Sequence, residues 1–293
     1  MRPIVNVLSV DVEDYFHPTE VQAVAAPGRW DRLPSRVEHA TRRVLTMLDV
    51  AGVRATFFVL GWVAERRPAL VRKIAAAGHE IGCHSYGHRL IYEMTPEEFR
   101  ADTLRARRAI EDACGVSPRL YRAPSFSITR GSLWALETLA ECGFEYDSSI
   151  YPIRHDRYGI PGFERFPCRI ETPAGPIVEV PAATARLSRR RVAPVGGGAY
   201  LRLLPYRYTQ AGIRRLNEIE RRPACVYFHP WEMDPEQPRL LRSAVSRWRT
   251  YGGLASMEGK LARLLEEFRF SAMTAVVPAH ELPAARVDGG AAA

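Results

Sequence analysis

Two imidazoles four residues apart frame the stretch His84-Ser85-Tyr86-Gly87-His88. On one turn of helix, positions i and i+4 share a face. Both rings then reach a single divalent ion, as histidines at this spacing do elsewhere. The pair alone is a moderate signal, because surfaces carry such spacings by accident. It gains weight only if the chain also supplies a third ligand, a base and an acid.

Those groups are present. Two histidines and one carboxylate make a metal site with open positions for water and substrate. Asp14 or Glu13 can supply the carboxylate. Asp11 can act as base toward a metal-bound water, whose pKa falls toward ~7. Arg122 can pair with Asp11 and keep it ionised and oriented. His229 can protonate a leaving amine, and Asp147 can hold His229 in its charged form. Together these residues describe metal-assisted hydrolysis of an amide. Cys83 abuts His84 and could ligate, but a buried thiol at a strand end is the stronger reading.

The elements that must position these groups alternate between strand and helix. Ile4 to Val10 reads as a buried strand rich in β-branched residues. Ser35 with Glu38 forms a capping box, and the helix that follows ends before Gly52. Residues 55–60 are a second strand, Pro68 opens a helix that stops at Gly78, and residues 80–83 are a third strand. Thr95-Pro96-Glu97-Glu98 opens a helix that runs to about Cys114. Residues 120–122 and 144–146 are further strands, separated by a helix from Arg130 to Cys142. Residues 150–205 break the rhythm with many prolines and glycines and a hairpin around Glu171 to Pro181. Helix resumes near Tyr208 to Arg221, followed by a strand at 224–228, a helix at 257–268 and a final strand at 271–277.

Repeated βα units imply parallel strands with right-handed crossovers. The reactive residues all fall just after strands: Asp11, Glu13 and Asp14; His84 and His88; Arg122; Asp147; His229. In a barrel of parallel strands those positions converge on one rim.

The blocks Ser9-Val10-Asp11-Val12-Glu13-Asp14, His84-Ser85-Tyr86-Gly87-His88, Arg122-Ala123-Pro124-Ser125-Phe126, Tyr146-Asp147-Ser148-Ser149 and Phe228-His229-Pro230-Trp231 occur in this order. The set resembles the polysaccharide deacetylases, the NodB-homology enzymes of carbohydrate esterase family 4, over roughly residues 4 to 232. The Asp-Val-Glu-Asp-Tyr-Phe opening, the Gly-Gly-Gly-Ala-Tyr segment and the His-Pro-Trp-Glu ending resemble the subgroup found in exopolysaccharide loci tied to exosortase and PEP-CTERM sorting.

The resemblance implies an α/β fold, a distorted (β/α)7 TIM-like barrel, carrying an irregular insertion and a C-terminal extension. It implies N-deacetylation of an N-acetylated polysaccharide or lipid-linked oligosaccharide with Zn2+, Co2+ or Ni2+. By motif, Asp11 is the base, His84 and His88 are ligands, Arg122 orients the base and His229 is the acid. A backbone N–H of the Arg-x-Pro motif joins the metal on the oxyanion. The opening departs from the family's adjacent aspartates. Asp-x-Asp relatives favour Glu13, side-chain length favours Asp14, and Asp14 is placed slightly ahead. Ser125 stands where an aromatic usually follows the proline, so Pro124 and Phe126 are candidates for the substrate groove. Trp231 is a candidate stacking platform, though core packing explains it equally well.

Composition bounds the remaining readings. The chain has 293 residues, a net charge of +8 and basic residues that are almost all arginine, the lysines being Lys73 and Lys260. No apolar run approaches a membrane span, and the N-terminus lacks the features of a signal peptide; a cytoplasmic location is expected. Five cysteines without a CxxC fit reduced thiols. No nucleic-acid module is legible; peripheral contact with membrane-bound exopolysaccharide machinery is the remaining partner expectation. The expected organisation is a barrel over 1–232, a packed extension over 233–283 and a disordered tail over 284–293. The alternatives are an amidase acting on a small cyclic amide or a lipid-linked sugar, and a catalytically silent carbohydrate-binding relative.

Overall fold

In the computed structural model, which describes residues 3–188 and 191–285, the strands are β1 (Val5–Val12), β2 (Thr56–Val59), β3 (Glu80–Cys83), β4 (Leu120–Tyr121), β5 (Tyr146–Asp147), β6 (Cys168–Thr172), β7 (Gly175–Glu179), β8 (Thr184–Arg186), β9 (Val192–Pro194), β10 (Cys225–Phe228), β11 (Arg269–Ser271) and β12 (Ala284–Ala285). The helices are α1 (Thr19–Gln22), α2 (Val37–Val50), α3 (Gly61–Arg66), α4 (Pro68–Ala76), α5 (Pro96–Cys114), α6 (Trp134–Glu141), α7 (Gly198–Leu203), α8 (Tyr206–Arg214), α9 (Ala244–Tyr251), α10 (Leu254–Glu267) and α11 (Met273–Val276).

Seven strands pair in parallel in the order β10-β1-β2-β3-β4-β5-β7. Their continuous apolar sequences fit strands covered on both faces; every residue of β1 after Val5 is buried. Between β7 and β10 the ring is completed by irregular backbone rather than a strand. Ala183 N–H donates to the Cys225 carbonyl at 3.1 Å, and Tyr227 N–H donates to the Gly196 carbonyl at 2.8 Å. This closure by loop segments is the distortion of the barrel. Outside it, β6 pairs antiparallel with β7 and β12 pairs with β6.

Register fixes the rim. Asp11 lies opposite Phe58, Val59 opposite Cys83, Cys83 opposite Tyr121, Tyr121 opposite Asp147, and Val10 opposite Phe228. The residues that follow each strand therefore emerge at one end. The C-terminal residues return to the barrel, where β11 adds to the start of β1 through Val5 to Val7.

The α5 capping box forms as the sequence predicts. Glu98 N–H donates to Thr95 Oγ1 at 3.2 Å, Thr95 N–H donates to Glu98 Oε2 at 3.0 Å, and Gly115 closes the helix at φ 72°. The hairpin near Glu171 is β6–β7.

Other expectations change. No capping box joins Ser35 and Glu38; α2 starts at Val37, and Ser35 Oγ donates instead to Asp14. The expected strand at 271–277 ends at Ser271 and turns into α11, because β10 occupies the β1 edge from Val7 onward. The helix expected over 130–142 is a 3-10 turn (Arg130–Ser132) followed by α6, and the one over 208–221 passes from α8 into a π turn at Arg215–Ile219. In the expected tail, Ala284–Ala285 pair with β6; the remainder lies outside the described residues. No helix among the described residues is long and apolar enough to cross a membrane.

Candidate metal and catalytic site

The His84–His88 segment is not a helical turn. It is a loop after β3 with left-handed backbone at Ser85 (φ 61°) and His88 (φ 52°). Asp102 of α5 pins it by accepting from Tyr86 N–H at 2.8 Å and Gly87 N–H at 3.3 Å. Ser85 Oγ accepts from His88 N–H at 3.1 Å. Such conformations persist only where the surroundings enforce them. The spacing thus brings two rings together by a fixed loop rather than by helical periodicity.

The third donor is Glu13. Its Oε1 lies 3.0 Å from Nε2 of His84 and 3.0 Å from Nε2 of His88, and all three residues are buried. The three donor atoms lie within 4.8 Å of one another. Outer contacts aim the rings: His84 Nδ1 is 2.8 Å from the Arg122 carbonyl, and His88 Nδ1 is 3.0 Å from the Gln22 side-chain amide. A carboxylate with two imidazoles held by their far nitrogens fits a divalent transition ion. Burial penalises the Glu13 charge, but His88, His229 and the hydrogen bonds from His84 and His88 outweigh it and hold its carboxyl well below the usual range.

Asp14, placed slightly ahead as the ligand from sequence, is engaged elsewhere. Its carboxylate accepts from Ser35 Oγ at 2.7 Å, Arg36 N–H at 2.9 Å and Val37 N–H at 3.1 Å, satisfying free donors at the start of α2. Both residues follow the end of β1, where the chain turns so that Glu13 faces the histidines and Asp14 faces the start of α2. His17 belongs with Asp14. Its Nδ1 accepts from Asp14 N–H at 2.8 Å, and its ring packs among Phe16, Trp30 and Trp62.

Asp11 and Arg122 meet as the sequence predicts. Arg122 Nη1 donates to Asp11 Oδ1 at 2.8 Å and to Ser9 Oγ at 2.8 Å; its Nε and Nη2 donate to the carbonyl and Oγ of Ser148 at 3.1 and 2.7 Å. The guanidinium is fully buried and sits 4.3 Å from the centre of the Phe58 ring. With its donors engaged, it fixes one Asp11 oxygen and leaves the other toward the cavity. That second oxygen, Oδ2, lies 3.9 Å from His229 Nε2.

His229 does not pair with Asp147. Its Nδ1 lies 2.9 Å from Glu232 Oε2, and Glu232 Oε2 also accepts from His229 N–H at 3.0 Å. Glu232 is in turn held by Arg202 Nε at 2.9 Å, and Arg202 by the carbonyls of Arg249 and Gly252. Burial lowers the His229 pKa, but Glu13, Glu232 and Asp11 override it and raise it to about 9. Trp231 stacks on the His229 ring, centroids 5.3 Å apart. The fold separates Asp147 from His229, since it ends β5 opposite Glu179 of β7. There its carboxyl is coupled to that of Glu179 and accepts from Ser149 Oγ. The sequence reading missed Glu232 and Arg202. The i+3 spacing within His229-Pro230-Trp231-Glu232 could have flagged the first; nothing local flags the second.

A cavity of about 420 Å³ opens over these groups, lined among others by Asp11, Glu13, His88, Phe126, His229 and Trp231. Phe126 contacts Tyr227 at 4.9 Å. Pro124 is buried and begins the short turn that carries Ser125 and Phe126 in left-handed backbone; it is not among the described residues that line the cavity.

Residues 29–146 match the polysaccharide deacetylase family model, and residues 148–278 match a domain of unknown function (DUF3473). The first part of the chain is thus similar to the polysaccharide deacetylases. It is 35% identical over 98 residues to a peptidoglycan-N-acetylglucosamine deacetylase of Bacillus cereus, covering 33% of this chain and 36% of that protein. It is 40% identical over 115 residues to a chitooligosaccharide deacetylase of Sinorhizobium fredii, covering 38% and 53%. The chain thus spans between about a third and a half of the length of these two relatives. The crystal structure of a candidate polysaccharide deacetylase from Mycobacterium smegmatis shares the fold, with a TM-score of 0.66 at 21% identity over 98% of both chains. Glu13, Asp11 and the histidine pair come from the first part of the chain, whereas His229, Glu232 and Arg202 lie in the segment matched by the second model.

Proposed function

We propose that this protein hydrolyses the N-acetyl group of an N-acetylated amino-sugar glycan in a metal-dependent reaction. The observation that carries this reading is the facing pair Asp11 and His229 beside the Glu13–His84–His88 donor set in one cavity. Amide hydrolysis needs a base for water and an acid for the departing nitrogen on opposite sides of one carbonyl.

When bound by Glu13, His84 and His88, a zinc, cobalt or nickel ion would supply Lewis-acid polarisation and acidify water. Asp11 Oδ2 accepts the proton of the attacking water, while Arg122 keeps Oδ1 occupied and the carboxylate aligned. The water oxygen bonds to the carbonyl carbon and the C–N bond breaks. His229 Nε2 delivers its proton to the amine nitrogen, and acetate departs. Glu232 holds the Nδ1 proton and so keeps Nε2 directed into the cavity. Phe126 and Trp231 supply apolar walls for the sugar.

We read the biological setting as bacterial exopolysaccharide assembly, with a cytoplasmic enzyme in peripheral contact with membrane-bound machinery. The motif likeness to the exosortase-linked subgroup supports it. We read residues 1–232 as the barrel unit and 233–283 as its packed extension. The deciding experiment is acetate release from defined N-acetylated glycans by the zinc-, cobalt- or nickel-loaded protein and its Asp11→Asn variant. Loss of turnover with metal retained is expected. Unchanged turnover rules out the assigned base.

A further inference from the structure

We infer, on the deacetylase reading above, that Lys260 of the C-terminal extension is a positioning residue that sets the acid His229 through Arg202 and Glu232.

The link starts at a short helix. α7 has six residues, too few for a helix to hold itself in water. Its last carbonyls find no partner within the helix, and Pro205 has no N–H to offer the Leu201 carbonyl. Lys260 of α10 supplies the missing donors. Its Nζ donates to the carbonyls of Leu201 at 3.2 Å, Arg202 at 2.7 Å and Leu204 at 2.8 Å. Three acceptors use all three protons of an ammonium. α10 is a firm base for it, because Leu254, Met257, Leu261 and Leu264 bury one face of that helix.

One segment of the extension thereby grips Arg202 at both ends. Lys260 holds its carbonyl, while the carbonyls of Arg249, at 2.8 Å, and Gly252 accept from its guanidinium. Gly253, at φ 77°, lies so close that a Cβ there would strike the Arg202 carbonyl. The guanidinium Nε is left to donate to Glu232 at 2.9 Å, and Glu232 Oε2 meets His229 Nδ1 at 2.9 Å. Arg202 and Glu232 are buried, so a shift of α7 meets close packing and passes on toward the imidazole. Burial and the Arg202 charge both lower the Lys260 pKa. A neutral side chain would fill the space without that repulsion; what the ammonium adds is three aimed donors. The metal donors Glu13, His84 and His88 and the base Asp11 take no part in these bonds. Loss of Lys260 should therefore touch the acid step alone.

The test gives the zinc-loaded full chain an amide and an ester. An N-acetylglucosamine hexamer needs a proton on its departing amine, whereas 4-nitrophenyl acetate releases a phenolate that leaves without one. In Lys260→Met, kcat on the hexamer should fall about tenfold, the scale of a lost orienting contact, with KM, ester turnover and zinc content unchanged. Lys260→Cys should behave alike. Alkylating it with 2-bromoethylamine rebuilds an ammonium of nearly lysine length and should restore the amide rate, while the unaltered protein treated in the same way keeps its own. Equal losses on both substrates overturn the inference, since Lys260 then serves the fold as a whole. A KM rise at constant kcat, or no change at all, overturns it too. If the unaltered protein releases no acetate from the hexamer, the deacetylase reading falls, and proton NMR decides the link without turnover. The His229 Nδ1–H resonance, assigned by its loss in His229→Gln, should move in Lys260→Met and return when Lys260→Cys is alkylated. A resonance that stays in place overturns the link.

Discussion

Glu232 Oε2 stands 2.9 Å from His229 Nδ1 and 3.0 Å from the same residue's backbone N–H. One carboxylate oxygen thereby fixes both the tautomer and the position of the imidazole. The Glu232→Gln variant should keep its fold and metal, lower kcat about 10–100-fold and leave KM nearly unchanged, as loss of an orienting partner does. Steady-state kinetics with metal analysis checks this; a KM change at constant kcat would place Glu232 in substrate binding instead. Arg202→Met should act through stability, because it strands a buried carboxylate, at a cost of about 3–5 kcal/mol. Thermal unfolding reads that cost.

Glu13 and Asp14 are neighbours with different tasks, and substitution separates them. Glu13→Gln should abolish stoichiometric metal binding, because an amide is a poor substitute for the carboxylate between His84 and His88. Asp14→Ala should keep the metal and lose roughly 0.5–2 kcal/mol, the usual cost of removing a cap from a helix N-terminus. Metal content after gel filtration and denaturant unfolding decide it. A metal-free Asp14→Ala protein with a metal-bound Glu13→Gln protein would reverse the assignment.

The contrast shows what the sequence made legible. Strand-end chemistry was readable because a parallel barrel sends all such residues to one rim, so Asp11, Arg122, His84, His88 and His229 could be placed without coordinates. The choice between Glu13 and Asp14 depended on which way the chain turns after β1, and Ser35 and the α2 N-terminus, more than twenty residues away, set that turn. The partner of His229 was misread for a similar reason. Asp147 ends a neighbouring strand, but its carboxylate faces Glu179, a pairing set by the irregular hairpin rather than by any local motif. Arg202 lies in a stretch whose glycines hide the helix α7 that presents it.

Asp147 and Glu179 form a fully buried pair. Among the described residues Asp147 Oδ2 and Glu179 Oε2 have no hydrogen-bond partner, and a proton shared between the two carboxyls would satisfy both. Burial pushes Asp147 up to about 6 and Glu179 well above its usual range, the latter also through the Asp147 charge. A carboxyl whose folded pKa is raised adds stability that is complete below its unfolded value near 3.9 and is lost as pH rises through the folded value. This pair should therefore make unfolding easier as pH rises from about 4 through about 6 and beyond. In Glu179→Gln the amide can donate to Asp147 without a titrating proton, while its oxygen still accepts from Ile150 N–H, which Glu179 Oε1 now does at 3.0 Å. Chemical unfolding across this range should show a flatter profile for the variant. Parallel profiles would mean that the pair does not share a proton.

Gly82 tests how closely the barrel interior supports the site. It lies opposite Phe58 in the β2–β3 register, two residues before His84. A Cβ at this position would stand 2.5 Å from the Phe58 ring and 3.3 Å from the Leu120 carbonyl. Phe58 cannot retreat freely, because its other neighbour is the Arg122 guanidinium that aligns Asp11. Gly82→Ala should thus cost about 1–3 kcal/mol as an overpacked core does, and should also lower kcat by displacing Arg122. The double variant Gly82→Ala with Phe58→Leu should recover much of the lost stability, since the smaller side chain frees the space. Activity that returns with stability would tie both losses to the same contact; stability without activity would assign Phe58 its own role beneath the guanidinium.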